Sequence, residues 1–254
     1  MQSEQFQLHA EIEQRHWWFV ARRTILGRLL AEVCPPSPQS LVVDVGCGTG
    51  ANLAAVASQY RATGIDTSAE AVALARQRFP SVQFLVGEAP ADLGPLAAQA
   101  DAVLLMDVLE HVPDDRALLE RLVTAVRPGA HLVLTVPADM ALWSAHDESF
   151  GHFRRYDRAG LERLFAGLPV DTRLLSYFNS RLYWMIRAIR AWNRLRGHAS
   201  GEAGTDFWLP SPRVNCWLES ILAGESHRLV ELLRGHRQKG HHRGASLVAI
   251  LRKS

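Results

Sequence analysis

The sequence predicts an α/β protein, a mostly parallel sheet with helices packed on both faces, and three observations carry that reading. Five short aliphatic and β-branched runs, 41–45, 62–66, 82–86, 102–106 and 131–137, alternate with stretches of helical spacing. The runs are apolar almost throughout, as strands are when crossover helices cover both sides of a parallel sheet. The first run ends in glycines at alternate positions, Gly46, Gly48 and Gly50, before a helix start at Ala51. Glycine there permits positive φ and lets the backbone approach a bound molecule closely. A strand-to-helix turn with nothing bound is the alternative that the glycines alone leave open.

The 254-residue chain, 48% hydrophobic and 21% charged, has material for one large domain with additions. No run approaches the roughly 18 apolar residues of a membrane span, and the polar start is not a signal peptide, so a soluble cytoplasmic protein is expected. Cys34, Cys47 and Cys216 are unclustered, so free thiols are expected and no metal site. The total charge of +2 hides a division: ten basic against 18 acidic side chains in residues 1–150, and 18 against eight in 151–254. The basic half must face an anionic partner or answer the acidic half.

Residues 1–35 carry Phe6, then His16, Trp17, Trp18 and Phe19, then Arg22, Arg23, Ile25, Leu26, Leu29 and Leu30. The later residues have helical spacing and should pack on the core. The aromatic cluster reads either as a helical lid, with Trp17 and Trp18 touching substrate, or as cover for a sheet edge or face. Pro35, Pro36 and Pro38 break the chain before the core. The second strand ends at Asp66, about 20 residues past the glycines, where a right-handed crossover returns to the same sheet edge. Its two oxygens suit the two hydroxyls of a ribose. Capping the helix 68–79 is the other use, although Ser68 or Thr67 can serve there. The third strand leads into Gly87-Glu88-Ala89 and the fourth into Asp107-Val108-Leu109-Glu110-His111. His111 should begin and cap a helix; a helix from about Asp115 to Val126 and the turn Arg127-Pro128-Gly129 lead to the fifth strand.

Four ordered blocks, Asp44-Val45-Gly46-Cys47-Gly48-Thr49-Gly50, Gly64-Ile65-Asp66, Gly87-Glu88-Ala89 and Asp107-Val108-Leu109-Glu110-His111-Val112-Pro113-Asp114, resemble the class I S-adenosylmethionine (SAM)-dependent methyltransferases over roughly residues 40–140. The resemblance implies a Rossmann-like, seven-stranded, mostly parallel sheet in the order 3-2-1-4-5-7-6. It implies that the turn of Gly46, Cys47, Gly48 and Gly50 cradles the methionine part of SAM, with Asp44 beneath it near the cationic groups. Asp66 would hold the ribose, Glu88 and Ala89 would meet the adenine, and Asp107 would sit near the methionine end. Asp is common in that family at the Glu88 position. The rival is an NAD-dependent dehydrogenase, because Gly46-x-Gly48-x-x-Ala51 and Asp66 also fit the dinucleotide fingerprint. Against it stand Asp44, unfavourable beside a pyrophosphate, and the lack of a second mononucleotide-binding half.

Residues 142–156, from Leu142 to Tyr156, follow the fifth strand and so begin at the ligand edge. With the segment 16–23 they resemble a bacterial methyltransferase subgroup found with cell-surface polysaccharide and lipid pathways. Methyl transfer needs alignment, plus a base if the acceptor is a hydroxyl or an acidic carbon. His146 and His152 are the candidate bases, with Asp147 to orient one of them, and Arg154 and Tyr156 are candidate substrate contacts. The other use of these residues is structural, anchoring the helix from about Arg158 to Phe165. A metal on His146, Asp147 and His152 is declined, because two histidines six apart in a loop lack helical pairing.

Residues 169–175 and 245–251 read as the sixth and last strands. The 177–243 segment between them is too long for a turn and reads as a helical insertion, which leaves 36–176 and 244–254 as the core and 1–35 as the lid. Within it, Leu182, Met185, Ile186, Ile189 and Trp192 form a stripe flanked by Arg181, Arg187, Arg190, Arg194 and Arg196. Such a basic amphipathic helix, spanning 177–196, either caps a core or contacts an anionic membrane surface peripherally. A Gly/Ser/Ala stretch at 198–205, one helix from about Val214 to Leu233, and a basic loop with His236, His241 and His242 complete the chain. The expected function is methyl transfer from SAM, leaving S-adenosylhomocysteine, to a small-molecule acceptor, apolar or lipid-linked. Alternatives are a nucleic-acid acceptor, disfavoured because the fourth strand lacks the Asn/Asp-Pro-Pro-aromatic signature, and a SAM-binding scaffold without turnover.

Overall fold

A computed structural model describes residues 10–195 and 209–254. Phe6, Arg196 and the 198–205 stretch lie outside the described residues. Seven strands, β1 (Ser37–Val45), β2 (Tyr60–Asp66), β3 (Gln83–Val86), β4 (Ala102–Met106), β5 (His131–Pro137), β6 (Val170–Phe178) and β7 (Ser246–Lys253), form one sheet in the order 3-2-1-4-5-7-6. β7 is antiparallel to both its neighbours, and the remaining pairs are parallel. This is the predicted class I methyltransferase topology.

Alternation along the strands divides the core in two. Leu41, Val43 and Val45 of β1, with Val103 and Leu105 of β4, face one side. Helices Asp115–Ala125 and Arg158–Phe165 cover that side with Leu118, Leu119, Leu122, Leu161 and Phe165. Val42, Leu104, Met106, Val133 and Ile250 face the other. There the helix α1 (Trp17–Val33) lays Ile25, Leu26, Leu29 and Leu30 on the sheet, so the N-terminal helix covers a face and not an edge. Asp44 alternates onto this second face, and the packing of α1 brings Arg22 towards it.

Several expectations need correction. β6 runs to Phe178, because Tyr177 and Phe178 stay in register with Leu247 and Ser246; the helical segment begins after them and not at 177. The helix expected over 214–233 is two, Pro212–Ala223 and Glu225–Leu233, meeting at Gly224. The break lets the buried Glu225 carboxylate accept the backbone N–H groups of Ser180 and Arg181, each at 2.8 Å, which ties the insertion to the end of β6. His111 does not begin a helix: it closes a short 3₁₀ turn, Leu109–His111, and Asp114 caps the helix that follows. The basic loop borders a cleft of about 370 Å³, lined by Arg237, Lys239, His241 and His242 with Arg158, Glu162 and Arg173.

The helix Tyr183–Leu195 does not cap a core. Only Tyr183 on it is buried, and its apolar side stays open at Trp184 (60% exposed), Ile189 and Leu195. It is held at its start, where the Tyr183 hydroxyl and Arg187 donate to Asp139 at 2.6 and 2.9 Å. No described helix is long and apolar enough to cross a membrane.

Candidate active site

The glycine turn stands at the carboxyl end of β1, and its three glycines do different work. A Cβ at Gly46 would lie 2.6 Å from Val108, and one at Gly50 would lie 2.7 Å from the Phe84 ring, so these two are demanded by packing. Gly48, at φ +52°, faces open space within 4 Å and presents the side of the turn where a ligand can approach. Cys47 turns its thiol inward to the room left by the missing Cβ of Gly64, so only its backbone belongs to the turn. Asp66 braces the turn: one carboxylate oxygen accepts from Gly48 N and the other from Ser68 N, each at 2.8 Å. Each oxygen keeps a lone pair for a hydroxyl.

Beneath the turn, Asp44 is 1% exposed and neither of its carboxylate oxygens has a hydrogen-bond partner among the described residues. Burial pushes its pKa up to about 7, a rise that Arg22 opposes and Asp66 reinforces. A buried acid left in this state fits a cation delivered from outside the chain. That is the test the SAM pocket must meet, since SAM carries an ammonium and a sulfonium, and the residues meet it. A pH dependence follows. Below pH 7 a cationic ligand must displace the Asp44 proton, so SAM affinity should rise up to about tenfold per pH unit and level off above 7. Calorimetric titration from pH 5 to 9 measures this, and Asp44→Asn should flatten the profile while weakening binding.

Glu13, Arg22 and Trp18 close the site from the N-terminal side. Glu13, buried, accepts from the Thr49 hydroxyl at 2.7 Å and pairs with Arg78, which also donates to the carbonyls of Thr49 and Ala10. Arg22, buried on α1, pairs with Asp107 at 2.8 Å and donates to the Thr135 hydroxyl at 2.8 Å. Asp107 itself has φ +58° at the end of β4. Trp18 lies against the Arg22 guanidinium, 5.0 Å from ring centre to carbon, whereas Trp17 is tied to Asn215 through its backbone N–H. Trp18 therefore borders the site through Arg22, and Trp17 belongs to the helix junction.

On the adenine side, Glu88 stands at the end of β3, but its side chain is 70% exposed and pairs with Arg121 at 3.3 Å. Ala89 is buried against the core. The structure thus places Glu88 at the surface and Ala89 in the core, both just after β3.

The loop after β5 is organised by Asp147, which is fully buried. It accepts from His152 Nδ1 at 2.9 Å, from Arg155 Nε and Nη2 at 2.8 and 3.0 Å, and from Ser144 N at 2.9 Å. These donors outweigh burial and hold its pKa well below the ordinary carboxylate range. Asp147 is an anion that orients, not a base. Its bond assigns the proton of the imidazole to Nδ1 and leaves Nε2 of His152 as an acceptor. The His146 ring packs on Phe150, 4.4 Å between centroids, and stands 6.4 Å from His152. Of the two candidate substrate contacts, Arg154 pairs with Asp115 at 2.7 Å, and the buried Tyr156 hydroxyl donates to the same carboxylate at 2.6 Å. Both clamp the loop to the helix 115–125.

His152 meets residues that spacing had not singled out. The His111 ring stands edge-on to it, 4.6 Å between centroids, and its pKa is pushed down to about 4 by the surrounding protein and then by His152. Glu110 is fully buried with neither oxygen partnered, and burial and the charge of Asp107 raise its pKa well above the carboxylate range. Arg22 carries the one sequence signal among the missed residues, an arginine on the apolar face of α1 in line with Leu26 and Leu29. Glu13 and Arg155 carry none.

Residues 16–168 match the family described as methyltransferase domain, and the chain belongs to it. With a glycine turn over an orphaned acid on this topology, its cofactor is SAM. Among curated relatives, the trans-aconitate 2-methyltransferase of Azoarcus sp. (strain BH72) is 33% identical over 128 residues, 49% of this chain and 50% of that one. That of Methylobacterium nodulans is 29% identical over 202 residues, 76% of this chain and 75% of that one. The chain spans about half the length of the first curated relatives it matches. Among solved structures, the plantazolicin methyltransferase BpumL in complex with SAH superposes with a TM-score of 0.58 at 14% identity, over 99% of this chain and 88% of that one. This likeness supports the fold.

Proposed function

We propose that this chain transfers a methyl group from SAM to a small-molecule acceptor held between the glycine turn, the N-terminal segment and the 138–156 loop. The observation that carries the reading is Asp44, a buried carboxylate with two unpartnered oxygens directly beneath an open Gly48. SAM supplies an electrophilic methyl whose leaving thioether needs no proton, so the protein's task is to align the acceptor and activate it. His152 is the side chain suited to activation, being oriented by Asp147. The name trans-aconitate 2-methyltransferase among the relatives favours a small acceptor, and the first of those matches cover about half of this chain. Calorimetry with SAM, S-adenosylhomocysteine and NAD tests the reading: SAM-type binding without NAD supports it, and no nucleoside binding overturns it. Label transfer to a panel of small acids and alcohols then separates an enzyme from a scaffold.

A second reading concerns where the acceptor comes from. Trp184, Met185, Ile189 and Leu195 are exposed on one helix beside Arg187, and Arg243 packs on Trp184 at 5.4 Å. Apolar anchors beside cations are what a helix at an anionic lipid surface presents, which favours a lipid-linked acceptor. Sedimentation with anionic vesicles should retain the protein at low salt, and Trp184→Ala combined with Ile189→Ser should release it. Equal behaviour with neutral vesicles would remove the electrostatic part of this reading.

A further inference from the structure

We propose that Glu110, His111 and His152 form a binding site for one divalent transition-metal ion. One ligand atom from each lies within 4.8 Å of the other two. Two ligands at about 2.1 Å from a common ion stand at most about 4.2 Å apart, so small side-chain rotations complete the set. Two imidazoles and one carboxylate on one side of an ion, with positions left open, suit Zn²⁺, Mn²⁺, Fe²⁺ or Co²⁺ and not the all-oxygen preference of Mg²⁺ or Ca²⁺.

Proximity alone would not carry the assignment; three further features do. Glu110 is fully buried and has no hydrogen-bond partner for either oxygen, a costly arrangement in a core unless something outside the chain satisfies it. His152 is held through Nδ1 by Asp147 at 2.9 Å, which presents Nε2 as the ligand in the carboxylate–histidine–metal pattern. The two chain segments are joined at the site itself, because Phe153 N donates to the Glu110 carbonyl at 2.8 Å. The charges nearby are already matched, Arg22 with Asp107 and Arg155 with Asp147. Glu110 is thus the carboxyl of this loop pair left without a partner among the described residues.

The ligands come from the loop after β4 and the loop after β5, both at the edge of the sheet that carries the glycine turn. What the ion would do rests on the methyl-transfer reading: it would hold an oxygen-bearing acceptor and make its hydroxyl more acidic. Whether it binds does not rest on that reading. His152 then activates the acceptor as a metal ligand, not as a free base.

The test is titration of chelator-stripped protein with Co²⁺, followed by visible d–d absorption, with SAM binding measured on the same sample. One Co²⁺ per chain is expected, displaced by Zn²⁺. His111→Ala, which changes an outward-facing residue, and His152→Ala should each lose the signal, and Asp147→Asn should weaken binding by about 10- to 100-fold. His227→Ala, on an exposed helix, should leave it unchanged. Glu110→Gln should also lose the signal, with circular dichroism reporting whether that variant folds. Absence of stoichiometric Co²⁺ binding, or binding that survives both histidine variants, overturns the proposal. SAM binding in the same stripped sample would show that the family reading stands although the metal site fails.

Discussion

Replacing Gly48 by leucine is expected to reduce SAM affinity by about 100-fold or more, equivalent to about 2.7 kcal/mol, while the protein stays folded. The turn makes this possible because its glycines are not equivalent. Side chains at Gly46 or Gly50 would drive into Val108 or Phe84, so substitution there tests the fold as much as the ligand. At Gly48 nothing stands within 4 Å of a new Cβ, and the cost to the fold is the left-handed backbone alone, about 1–3 kcal/mol. The leucine would extend into the open side of the turn, over Asp44. Calorimetry gives the affinity and thermal unfolding gives the fold. A folded G48L protein that binds SAM as tightly as the wild type would show that the turn is structural.

The second large effect is expected at His152. His152→Ala should lower turnover by about 100-fold, with SAM affinity changed by less than about twofold. The imidazole is held by Asp147 on the loop after β5, a different element from the glycine turn. Asp147→Asn should produce a smaller loss, because the amide can still meet Arg155 but no longer fixes the histidine proton at Nδ1. His146→Ala should do less again, as its ring packs on Phe150 away from the Asp147 network. Full turnover in His152→Ala would remove both the base and the metal-ligand roles from this residue. A matching loss of SAM affinity would mean that the loop had collapsed, which the unfolding curve would register.

Much of the fold was legible because the information is local. β4, β5 and the helix Arg158–Phe165 fall where the apolar runs and spacing put them. A strand buried on both faces has to be written in consecutive apolar residues. Gly48 and Asp66 were legible because a backbone conformation and a strand end can be read from a few neighbouring residues. Asp44 was placed by resemblance, and the structure adds that its oxygens are unpartnered. The partner of Arg154 and Tyr156 was not legible, because Asp115 is about forty residues earlier in the chain. No local pattern records such a pair.

What the sequence by itself determined is the alternation of strand and helix and the glycine turn with its acids, in motif blocks whose resemblance implied the methyltransferase family and its cofactor. The alternation and the turn depend on periodicity and on backbone freedom, which are set over ten residues or fewer. Only the tertiary structure decided that Arg22 reaches Asp107, that Glu13 closes on Thr49, that the helix 183–195 leaves its apolar side open, and that Glu110 and His111 meet His152. Each of these depends on how groups far apart in the chain come to lie. Their chemistry lies in burial and distance, which exist only once the sheet has brought the loops to one edge.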